Sequence, residues 1–210
     1  MLVKWFSCEV HDSVGFDLGQ RAWGGMHAGR IGLLGQIGGW SRTRENRAHI
    51  LACWTDQQRY DEFMAGAHDE LAAAQRGTYG DVQTDLFYHV LDIASPLPTQ
   101  LTAAGAVRLA HCFVRAERTE HFVDVQQRVW NPGMESVPGM LGGGFSRSSP
   151  TEFLVLTLWH TLADHQRYVE RVFPDLRVRS GAADDLASIT GDVIEVVPDW
   201  TFRTAEPLNR

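Results

Sequence analysis

The stretch GQIGGWSR at residues 35–42 returns further along the chain as GGGFSR at residues 142–147, and each leads into an apolar run that ends in tryptophan. Other matches fall in the same order. VKWFSC (3–8) pairs with VRLAHC (107–112), GQRAW (19–23) with QQRVW (126–130), GLLG (32–35) with GMLG (139–142), Trp54 with Trp159, QRY (58–60) with QRY (166–168), and GDV (80–82) with GDV (191–193). Collinear matches at a nearly constant offset mark a tandem duplication, and the small drifts in offset fall where loops are expected.

Periodicity gives the element order within one copy. LVKWFSCEV alternates as a strand; Phe16, Gly19, Gln20 and Trp23 recur at helical spacing. LLGQIGGW and AHILACW are strand-like runs joined by the polar SRTREN. TDQQRYDEFMAGAHDELAAA opens on a Thr/Asp cap and carries one apolar face, and DVQTDLFYHVLDI closes the unit. The order βαββαβ is the ferredoxin-like unit, an antiparallel sheet with both helices on one face. The predicted architecture is therefore α+β: two tandem ferredoxin-like repeats, 1–93 and 106–200, packed sheet to sheet as a fused dimeric α/β barrel. A Pro/Thr/Ala-rich linker fills 94–105 and a frayed tail 201–210. Gly38, Gly39, Gly143 and Gly144 fit sheet bending or close backbone approach, because glycine otherwise weakens a strand. They do not form a phosphate loop, lacking a Walker lysine and a GxGxxG leading into a helix.

Bulk properties narrow the function classes. With 210 residues, 44% hydrophobic, a formal charge of −7 and no block of like charges, the chain has material for a core but no surface suited to nucleic acid or to a membrane. MLVKWFSCEVHDS shows no leader-like pattern and no apolar run reaches the roughly 20 residues that span a bilayer, so a cytoplasmic protein is expected. The three cysteines lack CxxC spacing, which points to reduced, buried thiols.

The pattern FDLGQRAW, GLLGQIGGWSR, AHILACW, YDEFMAGAHD resembles the YdbC-like domains of unknown function in the antibiotic-biosynthesis-monooxygenase branch of dimeric α/β-barrel proteins. In its tandem form it is similar to the small oxygenases that open or contract the B ring of angucycline polyketides. The resemblance implies an oxygenase acting on a reduced angucyclinone, with O2 and an aromatic polyketide as its small-molecule partners. It also implies a pocket inside one copy, between the sheet and its helices.

The residues fit that chemistry without a resident redox group: there is no dinucleotide fingerprint, no 2-His-1-carboxylate spacing and no thiolate haem motif. No tightly bound metal is expected. Reduced flavin (FADH2) from a separate flavin reductase, or none, would supply electrons. The protein's tasks are then to hold a flat polycycle, take a proton and exclude water. Seven tryptophans and nine histidines supply walls and bases. Gln20, Trp23 and His27 share a face of the first helix, and Tyr60, Met64 and His68 a stripe of the second. On the third strand His49 points one way and Trp54 the other, with Trp40 closing the second strand beside them. The expected site is thus His49, His68 and His27 as candidate bases, with Gln20, Trp23, Trp40, Trp54, Tyr60 and Met64 lining the substrate.

In the second copy Trp40 becomes Phe145 and His49 becomes Leu154, while Gln127, Trp130, Trp159 and Tyr168 persist. Shared residues read as packing, so the first copy is expected to do the chemistry and the second to complete the barrel, with His111 and His160 as exceptions. Two alternatives stand beside this reading: a cofactor-free quinol monooxygenase adding one oxygen, and a barrel that binds a hydrophobic ligand or haem without turnover. The fused barrel would act as a monomer or a homodimer.

Overall fold

The computed structural model describes residues 1–25 and 32–204. The first repeat runs β1 (Leu2–Val10), α1 (Ser13–Gly25), β2 (Leu33–Ser41), β3 (Arg47–Trp54), α2 (Gln57–Ala65), α3 (His68–Ala73) and β4 (Tyr79–Ile93). The second runs β5 (Ala106–Val114), α4 (Thr119–Val125), a π-helical turn (Gln126–Trp130), α5 (Asn131–Glu135), β6 (Met140–Ser149), β7 (Glu152–Trp159), α6 (Leu162–Arg171), α7 (Phe173–Ser180) and β8 (Leu186–Val196). The helix expected over residues 55–74 is interrupted at Gly66, which follows the last residue of α2. Both copies start their second helix the same way: the Asp56 carboxylate accepts from the Arg59 amide, and the Thr161 hydroxyl from the Asp164 amide.

Each repeat forms a four-stranded antiparallel sheet, ordered β2-β3-β1-β4 and β6-β7-β5-β8. The sheets are also hydrogen-bonded edge to edge. β4 pairs with β6 from Tyr88↔Arg147 to Ile93↔Gly143, and β8 pairs with β2 from Gly39↔Val196 to Ser41↔Ile194. Eight strands therefore close into a barrel, which removes every exposed edge of the two sheets. Close approach between neighbouring strands explains two of the glycines. A Cβ on Gly39 would collide with the Glu195 carbonyl, and one on Gly143 with the Leu156 carbonyl.

Closure buries both faces of the strands, and all eight residues of β3 are buried. The barrel interior is filled from both repeats, by Trp5, Leu51 and Phe87 against Leu109, Leu156 and Ile194. Residues 94–105 do more than link. Leu97 and Leu101, on two short 3-10 turns, enter this interior core. The expected frayed tail also begins as structure: Phe202–Arg203 forms β9, paired with Gln36 and Gly35 of β2. Just before it, Trp200 is fully buried against the helix layer of the first repeat, its indole N–H donating to Asp17 Oδ1 at 2.8 Å. Among the described residues no helix is long and apolar enough to cross a membrane.

Candidate functional site

Between sheet and helices each repeat holds a cleft, and the two differ sharply in size. The first encloses about 70 Å³ and the second about 520 Å³. Only the second falls within the ~300–1,000 Å³ usual for organic ligands. The expectation that the first repeat houses a polycycle is therefore not met. Phe6 occupies space that the matching Ala110 leaves open.

The first cleft gathers four of the expected residues, Gln20, Trp23, Trp54 and His68. Gln20 is tied down: its amide donates to Gln75 Oε1 at 3.2 Å and accepts from Gln36 Nε2 at 3.4 Å. Trp23 donates to the same Gln75 oxygen at 3.2 Å. His68 Nδ1 lies 3.0 Å from Asp69 Oδ1, its ring beside Trp23 and Phe63. Tyr60 stands edge-on to Trp54 at 5.7 Å, and Met64 packs against the same cluster.

The remaining candidates lie elsewhere. Trp40 is at the far end of the sheet's outer face, against Phe16 and Trp200. His49 projects from the opposite face of β3 into the barrel and is 0% exposed. It accepts from Trp5 Nε1 at 3.1 Å and, since an indole can only donate, its Nε2–H donates to Asp192 Oδ2 at 3.0 Å. Ser41 and Thr43 also donate to Asp192, at 2.7 and 2.8 Å. Burial alone would raise the Asp192 pKa, but the hydrogen bonds from His49, Ser41 and Thr43 outweigh it and hold the carboxyl well below its usual range. His49 is thus a pin across the β2–β8 seam. His27 lies outside the described residues. Of the second-copy exceptions, His111 faces the barrel interior beside Trp5, bonded to Glu152 Oε1 at 2.7 Å, and His160 is exposed outside the cleft.

The second cleft is walled by Phe122, Trp130, Tyr168 and Phe173, with Arg108 and Gln126 among its polar groups. The π-helical turn coincides with QQRVW and carries both Gln126 and Trp130 to the lining. Such turns recur at functional sites. Arg108 sits 5.7 Å from the Phe173 ring centroid and has no carboxylate partner among the described residues. Tyr168 is fully buried and its hydroxyl has no hydrogen-bond partner among the described residues. Burial pushes its pKa up to about 12, so it remains a proton donor. Nearby His165 is driven down to about 4, first by burial and then by the Arg108 charge.

Sequence reasoning missed the two cations. Lys4 and Arg108 hold equivalent places in VKWFSC and VRLAHC, on the strand face that meets the helices. A charge of the same sign, kept in both copies among residues otherwise apolar, was the available signal. Lys4 Nζ lies 5.8 Å from the centroids of both Phe6 and Tyr60, without an acid partner among the described residues, and burial lowers its pKa to about 8.

Among the described residues no cluster of three or more His, Cys, Asp or Glu side chains could hold a metal ion. For haem, no histidine is among the described residues lining the second cleft, burial holds Cys112 and Tyr168 protonated, each pushed up to about 12, and Met134 offers only a thioether. These residues do not fit a haem axial ligand.

Residues 2–87 match the profile of a domain of unknown function (DUF4937). Over 75 residues the chain is 33% identical to the uncharacterised protein YdbC of Bacillus subtilis, a match covering 34% of this chain and 62% of that protein. Solved structures are similar over nearly the whole length. A candidate monooxygenase from Fusobacterium nucleatum superposes with a TM-score of 0.74 at 10% identity, covering 93% of this chain and 91% of that one. A second, from Lactobacillus acidophilus, gives 0.73 at 13%, covering 96% and 95%. An anthrone oxidase-like protein gives 0.67 at 10%, covering 98% and 94%. The first repeat is thus similar to a family without assigned function, and the two-repeat barrel shares its fold with these structures.

Proposed function

We propose that the protein is an oxygenase acting on an electron-rich planar polycycle, a phenol, hydroquinone or anthrone, bound as its anion in the second cleft. The observation that carries this reading is the Arg108 guanidinium, unpaired at the wall of a 520 Å³ aromatic cleft. A cation held among apolar groups lowers the pKa of a bound phenol and stabilises the anion. The protonated Tyr168 hydroxyl supplies a second donor to the same oxygen, while Trp130 and Phe122 flank the rings.

The substrate anion passes one electron to O2 and combines with the superoxide so formed, making one C–O bond. For an anthrone-type CH2, the resulting peroxide anion takes back the proton lost on ionisation and the hydroperoxide so formed eliminates water, so CH2 and O2 become C=O and H2O. The protein's part is to hold the anion, shield the radical pair from water and donate a hydrogen bond. Support comes from the fold shared with candidate monooxygenases and an anthrone oxidase-like protein. In its finer form the substrate is a reduced angucyclinone whose B ring is opened or contracted, one O2 per ring. A separate flavin reductase would keep it reduced in the cytoplasm.

The test is anaerobic mixing with anthrone or a chemically reduced dehydrorabelomycin-type quinol, then admission of O2 with uptake and product mass followed. Uptake well above buffer is expected, reduced about 10–100-fold in Arg108→Met, as for a charge-assisted hydrogen bond worth about 1.5–3 kcal/mol. One observation favours a second reading: no histidine or carboxylate lines the second cleft, as suits a binding barrel without turnover. Uptake no faster than buffer, with tight binding intact, would establish that reading instead.

A further inference from the structure

We propose that the small cavity of the first repeat binds a small organic carboxylate, held between the Lys4 amine and the Trp54 indole N–H. The two donors are neighbours on one face of the sheet: Lys4 is paired with Ala52, and Trp54 lies two residues further along β3. Both line the cavity.

Trp54 is 3% exposed and its Nε1 has no hydrogen-bond partner among the described residues. The second repeat shows what a structural tryptophan does at this position: Trp159 Nε1 donates to Thr157 Oγ1 at 2.9 Å. In the first repeat Ala52 stands where Thr157 would be, so the N–H is left for something else. A buried donor without a partner is destabilising, and a ligand oxygen removes that penalty.

The lining also fixes charge and size. No carboxylate lines the cavity, while Lys4, Trp54 and the hydroxyl of Tyr79 can all donate. About 70 Å³ holds a handful of heavy atoms, and Phe6, Ala52 and Phe63 provide an apolar wall. One cation in such a space suits a monoanion with a short carbon tail better than a phosphate, which would bring a second charge and more oxygens to satisfy.

Binding is coupled to Lys4 protonation. The titratable groups facing the amine are Tyr60 from α2, His68 from α3 and Tyr79 at the start of β4; none is acidic. With the free amine titrating near pH 8, affinity is flat below that pH and falls about tenfold per unit above it. The proposal does not rest on the oxygenase reading, since it concerns the other cleft and is read as binding.

The experiment titrates butyrate into the full chain and follows the Trp54 indole N–H resonance, with butyramide as the uncharged control. A saturable shift is expected, at least tenfold weaker at pH 9.5 than at pH 7.5 and at least tenfold weaker in Lys4→Met. Ala52→Thr, which offers Trp54 an internal acceptor and keeps the lysine, should weaken binding several-fold. Equal binding of butyramide, no saturable shift, or affinity within twofold of wild type in both variants would overturn the proposal.

Discussion

The two clefts are built from one plan and have diverged in how they are filled. Each sets a cation on its first strand, Lys4 or Arg108, beneath a tryptophan that ends the third, Trp54 or Trp159, and a tyrosine on the second helix, Tyr60 or Tyr168. In the first repeat the Phe6 side chain narrows the space. In the second an alanine and a π-helical turn leave it open. Duplication thus preserved a wall bearing one cation while changing the size of what can lie against it.

Removing the indole that packs under the helix layer of the first repeat, and that has no counterpart in the second, has the largest expected effect. Trp200→Ala should destabilise the protein by about 3–5 kcal/mol, because a fully buried indole and its bond to Asp17 are both lost. Urea unfolding measures this, and a loss under about 1 kcal/mol would mean that Trp200 does not anchor the helix layer of the first repeat. The converse change should make the second cleft resemble the first. Ala110→Phe places a ring where Phe6 stands and should weaken binding of a polycyclic quinol on the order of 100-fold, about 2.7 kcal/mol, with native circular dichroism retained. Unchanged affinity would remove volume as the basis of the difference.

His49 separates the clefts from the barrel that carries them. His49→Ala strands the Trp5 N–H and weakens the satisfaction of Asp192, and should cost about 2–3 kcal/mol of stability while leaving turnover within twofold. A selective loss of turnover at full stability would instead restore His49 as a catalytic base. The smallest effect is a pH dependence. Because the folded Asp192 carboxyl titrates below its unfolded value near ~3.9, its stabilisation is present above that pH and lost as the pH falls further. The stability gap between wild type and Asp192→Asn should therefore narrow on acidification below pH ~4, as read by denaturant midpoints from pH 7 to 2.5. A gap constant with pH would assign the role of Asp192 to shape rather than charge.

The repeat was legible because glycines, caps and strand-closing tryptophans are local features that survive duplication. GGW and GGF mark strands that approach another backbone, and Asp56 and Thr161 start helices in both copies. Which face of β3 meets the cleft was not legible. Alternation distinguishes two faces, but in a closed barrel both are buried, so hydrophobicity cannot say that Trp54 looks out and His49 in. The core that Trp200 forms with Phe16 and Ile50 was equally hidden, since Trp200 arrives from far along the chain. Reading residues common to both copies as packing also concealed Lys4 and Arg108, whose shared feature is their charge.

The most direct measurement is an anaerobic fluorescence titration of a chemically reduced anthraquinol into wild type and Arg108→Met. Anaerobic conditions isolate binding from turnover, and Trp130 in the second cleft provides the signal. The expected result is saturable quenching in the wild type and at least tenfold weaker binding in Arg108→Met, with the loss largest where the ligand is ionised. Binding within twofold of wild type in Arg108→Met would contradict the assignment of the second cleft as the seat of the substrate anion.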